Sequence, residues 1–149
     1  ELALTLRNDA RVTVIERVNA RSLDCALLPY RPDLVVADVS FISLTKVLPA
    51  VLACAAPVFD CLAMVKPQFE VGRERVAKGG VVRSDDDRRA ALVDVGERMR
   101  SELGVTVLGY TSSGLPGPAG NRESFVWLAE VGRPGDVQDL ELAARIAEP

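Results

Sequence analysis

Three ionisable side chains stand where apolar segments of this sequence begin or end. Asp38 closes one apolar run, Lys66 closes the next, and Glu123 opens the last one. A lysine at the end of so apolar a segment either has a polar partner or reaches past the strand into solvent. Together, one lysine and two carboxylates are typical of a catalytic or binding cluster, and also of a structural ion pair at a sheet edge.

The elements that must position these residues alternate between strand and helix patterns. Short β-branched and apolar runs predict strands, whereas apolar residues at three- and four-residue spacing predict helices. The predicted strands are 12–16, 34–38, 58–66, 105–110 and 123–131. The predicted helices are 2–7, 44–55 with a kink at Pro49, 84–103 and 136–147. The order β-α-β-α-β-α-β-β indicates an α/β fold with a mostly parallel sheet covered on both faces, whose last two strands form an antiparallel hairpin.

This topology places the three polar residues at one rim of the sheet. Pro67 cannot donate to a sheet ladder and favours an extended residue before it, so the strand should end with Lys66 extended. Asp38 and Lys66 then lie at the carboxyl ends of two parallel strands, where open α/β sheets bind ligands. Glu123 should reach the same rim, because an antiparallel strand begins where its parallel neighbours finish.

Three further features admit two interpretations each. Asn19 and Ala20 follow the first predicted strand at the same rim, where they fit either an adenine-reading edge or an Asx-turn. The basic residues of 73–83 either touch phosphates or lie in a solvated loop. The Gly- and Pro-rich segment 114–120 lacks the following helix of a phosphate-binding loop, so a surface loop is favoured.

The amino-acid composition excludes several kinds of catalytic and metal site. The 149 residues carry a net charge of −3, and they include no histidine and only three cysteines. The absence of histidine excludes Ser-His-Asp triads and His metal ligands, and no other metal site is predicted. The cysteines have no C-x-x-C spacing, which favours buried reduced thiols and a cytoplasmic location. No apolar run is long enough for a membrane span.

The first residues have the pattern of a helix end without an initiator methionine. We therefore expect the chain to be part of a longer protein in which the amino-terminal part of the fold is missing here. A sheet edge left bare in this way favours a homodimer through that edge.

Four sequence motifs together resemble the TlyA family, whose haemolysin-like members carry an FtsJ-type S-adenosylmethionine-dependent RNA methyltransferase domain. The motifs are Val-Ala-Asp-Val-Ser-Phe-Ile-Ser at 36–43, Val-Lys-Pro-Gln-Phe-Glu-Val-Gly at 65–72, Gly-Gly-Val-Val at 79–82 and Leu-Pro-Gly-Pro-Ala-Gly-Asn-Arg-Glu at 115–123. The resemblance covers residues 1–131, a partial Rossmann-like methyltransferase domain. Residues 132–149 are left as a carboxy-terminal tail with a helical pattern.

The resemblance implies methylation of ribose 2′-hydroxyls in ribosomal RNA by in-line displacement. The family's Lys-Asp-Lys-Glu tetrad maps its last three members onto Asp38, Lys66 and Glu123, and its aspartate would lie between cofactor and lysine. Asp38 is therefore a predicted cofactor contact, beside Asn19 and Ala20 from their place at the same rim. The first lysine, the glycine-rich cofactor loop and an S4-like RNA-binding domain have no counterpart in the sequence. The complete protein is therefore expected to be an enzyme and this fragment alone inactive. The alternatives are a non-catalytic RNA- or partner-binding module and, less favoured, a membrane-lytic role.

Overall fold

The computed structural model describes residues 2–148 as a four-stranded sheet with helices packed on one face. The strands are β1 (Leu34–Ala37), β2 (Asp60–Val65), β3 (Thr106–Pro116) and β4 (Arg122–Ala129). The helices are α1 (Leu4–Arg7), α2 (Leu48–Ala53), α3 (Pro67–Glu70), α4 (Asp85–Leu103) and α5 (Leu140–Ala147). Short 3₁₀ turns occupy Ala20–Ser22, Cys25–Leu27, Leu44–Lys46 and Arg73–Arg75.

The sheet has the order β1-β2-β4-β3. β1 and β2 are parallel, and β4 is antiparallel to both β2 and β3. Three strands therefore point the same way and only the last one runs against them, which confirms the predicted direction pattern and the terminal hairpin. Val65 pairs with Ser124, so Glu123 lies level with the end of β2.

The long helix α4 begins and ends where its sequence signals predict. The Ser84 hydroxyl accepts a hydrogen bond from the Asp87 N–H, and three aspartates in the first turn favour the positive end of the helix dipole. Gly104 ends the helix in the left-handed region at φ 68°, where glycine carries no Cβ penalty. The buried side of α4 packs on the sheet, and a fully buried residue such as Leu92 contributes roughly 1.5–3 kcal/mol.

One face of the sheet is open, contrary to the prediction of a strand covered on both faces. In β1 the burial alternates, with Val35 and Ala37 in the core and Leu34 and Val36 exposed. The reason is that the helices in the described part of the chain pack against one face only. β1 also has β2 as its sole strand neighbour among residues 2–148, so the expected bare edge is present. Pairing of two copies through it stays a prediction.

Several element boundaries differ from the prediction. Residues 12–16 are irregular and mostly exposed rather than a strand, because β-branched residues need a neighbouring strand to pair with and the described residues supply none. The helix predicted at 44–55 is a 3₁₀ turn followed by α2, and Pro49 lies in the first turn of α2, where proline is tolerated without a kink. β3 continues to Pro116, through half of the predicted loop, and α5 begins only at Leu140.

The cysteines were wrongly predicted to be three reduced thiols. Cys25 and Cys54 form a disulfide that ties the turn after Asp24 to the end of α2, with their Cα atoms 5.1 Å apart. Cys61 is a free thiol within β2, as expected, and burial raises its pKa to about 12. The cytoplasmic location, which was inferred from reduced thiols, stays a prediction.

Candidate active site

Lys66 lies at the centre of the predicted rim, directly after β2. Its Nζ is 2.7 Å from Asp38 Oδ1 and donates a hydrogen bond to Ser40 Oγ at 3.1 Å. The Lys66 side chain is only 13% exposed, whereas that of Asp38 is 62% exposed. The lysine is therefore held inside the rim by a carboxylate that faces outwards, and it does not reach freely into solvent.

Glu123 lies on the other side of the lysine, at the start of β4. It is buried, and Gln68 Nε2 donates to its Oε1 at 3.4 Å. Lys66 and Glu123 line one cavity of about 410 Å³, but among residues 2–148 the lysine forms its ion pair with Asp38 and not with Glu123. The structure thus brings all three predicted residues to one rim, with Asp38 on the β1 side of the lysine and Glu123 on its β4 side.

The loop that follows β1 and the helix α3 that follows β2 are joined by several non-covalent contacts. The Phe41 and Phe69 rings lie 5.2 Å apart between centroids. Further along, Glu70 accepts hydrogen bonds from the Ser43 hydroxyl at 2.6 Å and from the Leu44 N–H at 2.8 Å. These contacts fix the loop that carries Asp38 relative to Lys66. Burial raises the pKa of Glu70, and the two hydrogen bonds oppose that rise.

Asn121 holds the 79–82 turn against the loop that precedes β4, at one side of the cavity. Its buried amide donates to the Gly80 carbonyl at 2.8 Å and accepts from the Val82 N–H at 2.9 Å. Gly80 and Asn121 both line the cavity. The sequence marked both segments as motifs but did not show that they touch, because they are about 40 residues apart and no local pattern connects them.

The Gly- and Pro-rich segment was predicted to be a surface loop, and its residues 117–120 form a mostly exposed turn that also lines the cavity. Gly117, Pro118 and Ala119 line the same cavity as Lys66. A Cβ atom built on Gly117 would lie 2.7 Å from Glu123 Oε1, closer than real Cβ contacts allow. Glycine at this position therefore lets the backbone approach the carboxylate.

The predicted cofactor residues Asn19 and Ala20 lie outside this cavity. Asn19 Oδ1 accepts a hydrogen bond from the Arg21 N–H at 3.1 Å, which is the Asx-turn arrangement that was one of the two alternatives. Ala20 begins a 3₁₀ turn that packs against α2. Their contact with a cofactor stays a prediction.

The basic segment 73–83 forms part of the cavity rim. Val76 and Gly80 line the cavity, and Arg75 lies 3.6 Å from Asp87. Contact of its basic residues with phosphates stays a prediction. Among residues 2–148, no cluster of three or more Cys, Asp or Glu side chains is arranged to hold a metal ion.

Comparison with known proteins identifies the family to which the chain belongs. Residues 1–130 match the profile of the FtsJ-like methyltransferases. The 16S/23S rRNA (cytidine-2′-O)-methyltransferase TlyA of Mycobacterium tuberculosis is 51% identical over 128 residues, which are 86% of this chain and 47% of that protein. Hemolysin A of Brachyspira hyodysenteriae is 35% identical over 124 residues, which are 83% of this chain and 51% of that protein.

A solved structure, of a protein called "putative hemolysin" from Streptococcus thermophilus, superposes with a TM-score of 0.88 at 32% identity, over 99% of this chain and 54% of that one. The chain spans about half the length of the curated relatives it matches. In the described part of the chain, every helix is too short or too polar to cross a membrane. The profile match over residues 1–130 and the likeness in sequence and fold show that the chain belongs to the FtsJ-like methyltransferase family.

Proposed function

We propose that the full-length protein containing this chain transfers a methyl group from S-adenosylmethionine to a ribose 2′-hydroxyl of ribosomal RNA. The observation that carries the proposal is the half-enclosed Lys66 ammonium, held by Asp38 on one side and facing a cavity with Glu123 on the other. The name of the M. tuberculosis relative, an rRNA (cytidine-2′-O)-methyltransferase, supports ribose as the acceptor.

The residues at the rim suit the cofactor in part. S-adenosylmethionine is a sulfonium cation, and the outward-facing carboxylate of Asp38 offers it a counter-charge at the carboxyl end of β1. Asn19 and Ala20 remain the proposed contacts for its adenine. When bound, the cofactor supplies a methyl group activated by the positive sulfur.

Lys66 keeps donor capacity for a substrate. An ammonium has three donors, and within residues 2–148 Lys66 donates one hydrogen bond, to Ser40, and forms an ion pair with Asp38. A remaining N–H would hold a hydroxyl oxygen in the cavity in place. Catalysis of this kind acts chiefly by positioning the two reactants.

Glu123 complements this donor with an acceptor. Its Oε1 receives one long hydrogen bond from Gln68, and its other oxygen has no hydrogen-bond donor within residues 2–148. Glu123 would therefore accept the hydrogen bond of the same hydroxyl rather than pair with the lysine. It would take the hydroxyl proton as the methyl group passes from sulfur to oxygen and the neutral thioether leaves. The cavity of about 410 Å³ has the size of pockets that enclose one small ligand, which suits a single nucleoside turned out of the RNA.

The 149 residues alone should not catalyse methyl transfer. The family tetrad requires a first lysine and a glycine-rich cofactor loop, and neither has a counterpart in this sequence. Methyl transfer by this chain in isolation would contradict that part of the proposal.

The acceptor atom can be tested by chemistry specific to ribose. The full-length protein is incubated with ribosomal RNA and labelled S-adenosylmethionine, and the RNA is then hydrolysed in alkali. A 2′-O-methyl group blocks cleavage at the next phosphodiester, so one band should disappear from the ladder at the labelled nucleotide. Label incorporation with an intact ladder would mean that a base is methylated instead.

The relatives named as hemolysins favour a second candidate, lysis of membranes. Leakage of dye from liposomes on addition of the full-length protein would support it. A third candidate is a non-catalytic module that binds RNA or a partner, and it predicts RNA binding with no methyl transfer. We favour the enzyme because the rim assembles donor, acceptor and cavity together.

A further inference from the structure

The carboxy-terminal helix α5 ends in a buried carboxylate. The side chain of Glu148 is only 4% exposed. It contacts Arg88 Nε at 3.0 Å and accepts a hydrogen bond from the Ser124 hydroxyl at 3.4 Å. The helix lies beyond the family profile, which ends at residue 130, although the S. thermophilus structure covers 99% of the chain. A buried charge needs a reason, because surface positions are available to it at no cost.

Arg88 is the centre of this buried network. Its side chain is 6% exposed and lies in the first turn of α4. Besides Glu148, it donates to the Val82 carbonyl at 3.3 Å and to the Arg83 carbonyl at 3.0 Å, and it pairs with Asp85. The guanidinium therefore joins the end of α5 to the backbone that leads from the cavity loop into α4.

Two chains of direct contacts lead from Glu148 to the cavity. On the shorter one, Glu148 bonds Ser124, the neighbour of Glu123 in β4, and Ser124 is in register with Val65, the neighbour of Lys66. On the longer one, Glu148 bonds Arg88, Arg88 bonds the Val82 carbonyl, and the Val82 N–H is held by Asn121.

We propose that Glu148 and Arg88 are positioning residues for the substrate cavity, so that α5 acts as a latch that sets both Glu123 and the 79–82 turn. Neither residue touches the cavity itself, and each acts through Ser124 or through Val82 and Asn121. The predicted loss of methyl-transfer rate rests on the proposed function. The predicted change in hydrogen exchange does not. A purely stabilising pair would instead alter the melting temperature and leave the folded enzyme unchanged.

The same helix offers a matched control. Glu141 and Arg145 form an ion pair at 3.7 Å, and both side chains are well exposed. Removing the Glu141 carboxylate deletes an acidic group from α5 without touching the buried network. Comparing the two variants therefore shows whether an effect comes from losing the buried carboxylate of Glu148 or from losing any acidic group in this region.

The test compares the full-length wild type with Glu148→Ala, Glu148→Gln, Ser124→Ala and Glu141→Ala at a temperature where circular dichroism shows each to be folded. Because small displacements of positioning groups cost up to about 100-fold in rate, we expect Glu148→Ala to lower kcat/KM for RNA at least about 10-fold. The KM for the cofactor should change less than about twofold, since Asp38 lies outside the network. Glu148→Gln keeps neutral hydrogen-bonding capacity and should fall between Glu148→Ala and wild type, and Glu141→Ala should match wild type.

Hydrogen exchange gives a readout that does not depend on activity. In Glu148→Ala, the Val82 amide and the peptide containing residues 121–125 should exchange faster than in wild type, and in Glu141→Ala they should not. A lower melting temperature with unchanged kinetics and unchanged exchange would overturn the latch, and so would equal effects of Glu148→Ala and Glu141→Ala. If Glu148→Ala does not fold, Glu148→Gln and Ser124→Ala decide by the same criteria. A wild type that transfers no methyl group would contradict the proposed function, and the exchange result would then decide the latch.

Discussion

Lys66 Nζ and Asp38 Oδ1 are 2.7 Å apart, and their contact joins the carboxyl ends of two adjacent parallel strands. The lysine lies inside the rim and the aspartate faces outwards, so the carboxylate fixes the direction of the ammonium. The Ser40 hydroxyl accepts a hydrogen bond from the same ammonium, and Lys66 also lines the cavity. We therefore propose that the ion pair also aims the ammonium of Lys66 at the cavity.

Replacing Asp38 with Asn tests this role at nearly constant volume. Asp38→Asn removes the counter-charge that positions a lysine only 13% exposed, and because misplacing a positioning group costs up to about 100-fold in rate, kcat/KM should fall about 10- to 100-fold. Methyl-transfer kinetics of the full-length protein measure the effect. Asp86→Asn is the control, because Asp86 forms an ion pair with Arg89 on the open surface of α4. Equal rates in the two variants would contradict the role of Asp38.

Gly117 should be intolerant of even one added methyl group. The Cβ of Gly117→Ala would stand 2.7 Å from Glu123 Oε1, so the carboxylate must move away from its place in the cavity. Methyl transfer should fall at least about 10-fold, while the free energy of unfolding should change by no more than ~1–3 kcal/mol. In a Glu123→Ala background the same substitution should have little further effect, because no carboxylate is left to displace. Additive losses in the double variant would argue against this contact.

The stability of the protein should carry a pH dependence that comes from Glu70. Burial raises the pKa of Glu70 above its ordinary value of 4.5, so the folded state binds the proton more tightly than the unfolded state. The associated stability is fully present below about pH 4.5 and is lost as the pH rises through the folded-state pKa. Glu70→Gln cannot ionise, and the variant should therefore gain stability relative to wild type as the pH rises above 4.5. Urea unfolding of both proteins between pH 4 and 8 measures this difference, and a constant difference over that range would refute it.

The disulfide makes a prediction about thiol reactivity. Peptide mapping of the full-length protein without reductant should recover Cys25 and Cys54 in one cross-linked peptide. Cys61 should resist alkylation until the protein is unfolded, because burial raises the pKa of its thiol to about 12. Cys25→Ser should lower the free energy of unfolding by about 2–4 kcal/mol under oxidising conditions and have little effect under reducing ones. Rapid alkylation of all three thiols in the native protein would contradict the pairing.

The grouping of Asp38, Lys66 and Glu123 at one rim could be predicted from sequence, because it depends on where the strands begin and end. Asp38 and Lys66 close apolar runs in the predicted parallel strands, and the direction of β4 brings Glu123 to the same level. These positions depend only on strand order and direction, which the alternation of patterns determines. The ion-pair partner of Lys66 could not be predicted in this way, since the choice between two carboxylates depends on side-chain geometry.

The contacts that complete the site join segments far apart in the chain. Asn121 binds a turn about 40 residues upstream, and Cys25 and Cys54 are 29 residues apart. Neither pair leaves a periodic pattern in the sequence, so local analysis misses both. The failed strand at 12–16 has the opposite cause, because there a local preference was present and the described residues supply no partner strand.

The central claim is that Lys66 holds the hydroxyl that receives the methyl group, and the most direct test is methyl transfer to ribosomal RNA by Lys66→Ala in the full-length protein. We expect transfer to fall by at least about 100-fold, while the affinity for S-adenosylmethionine measured by calorimetry and the melting temperature stay close to wild type. Lys46→Ala removes an exposed lysine in the 3₁₀ turn before α2 and should leave transfer unchanged. Methyl transfer by Lys66→Ala at the rate of Lys46→Ala would contradict the account.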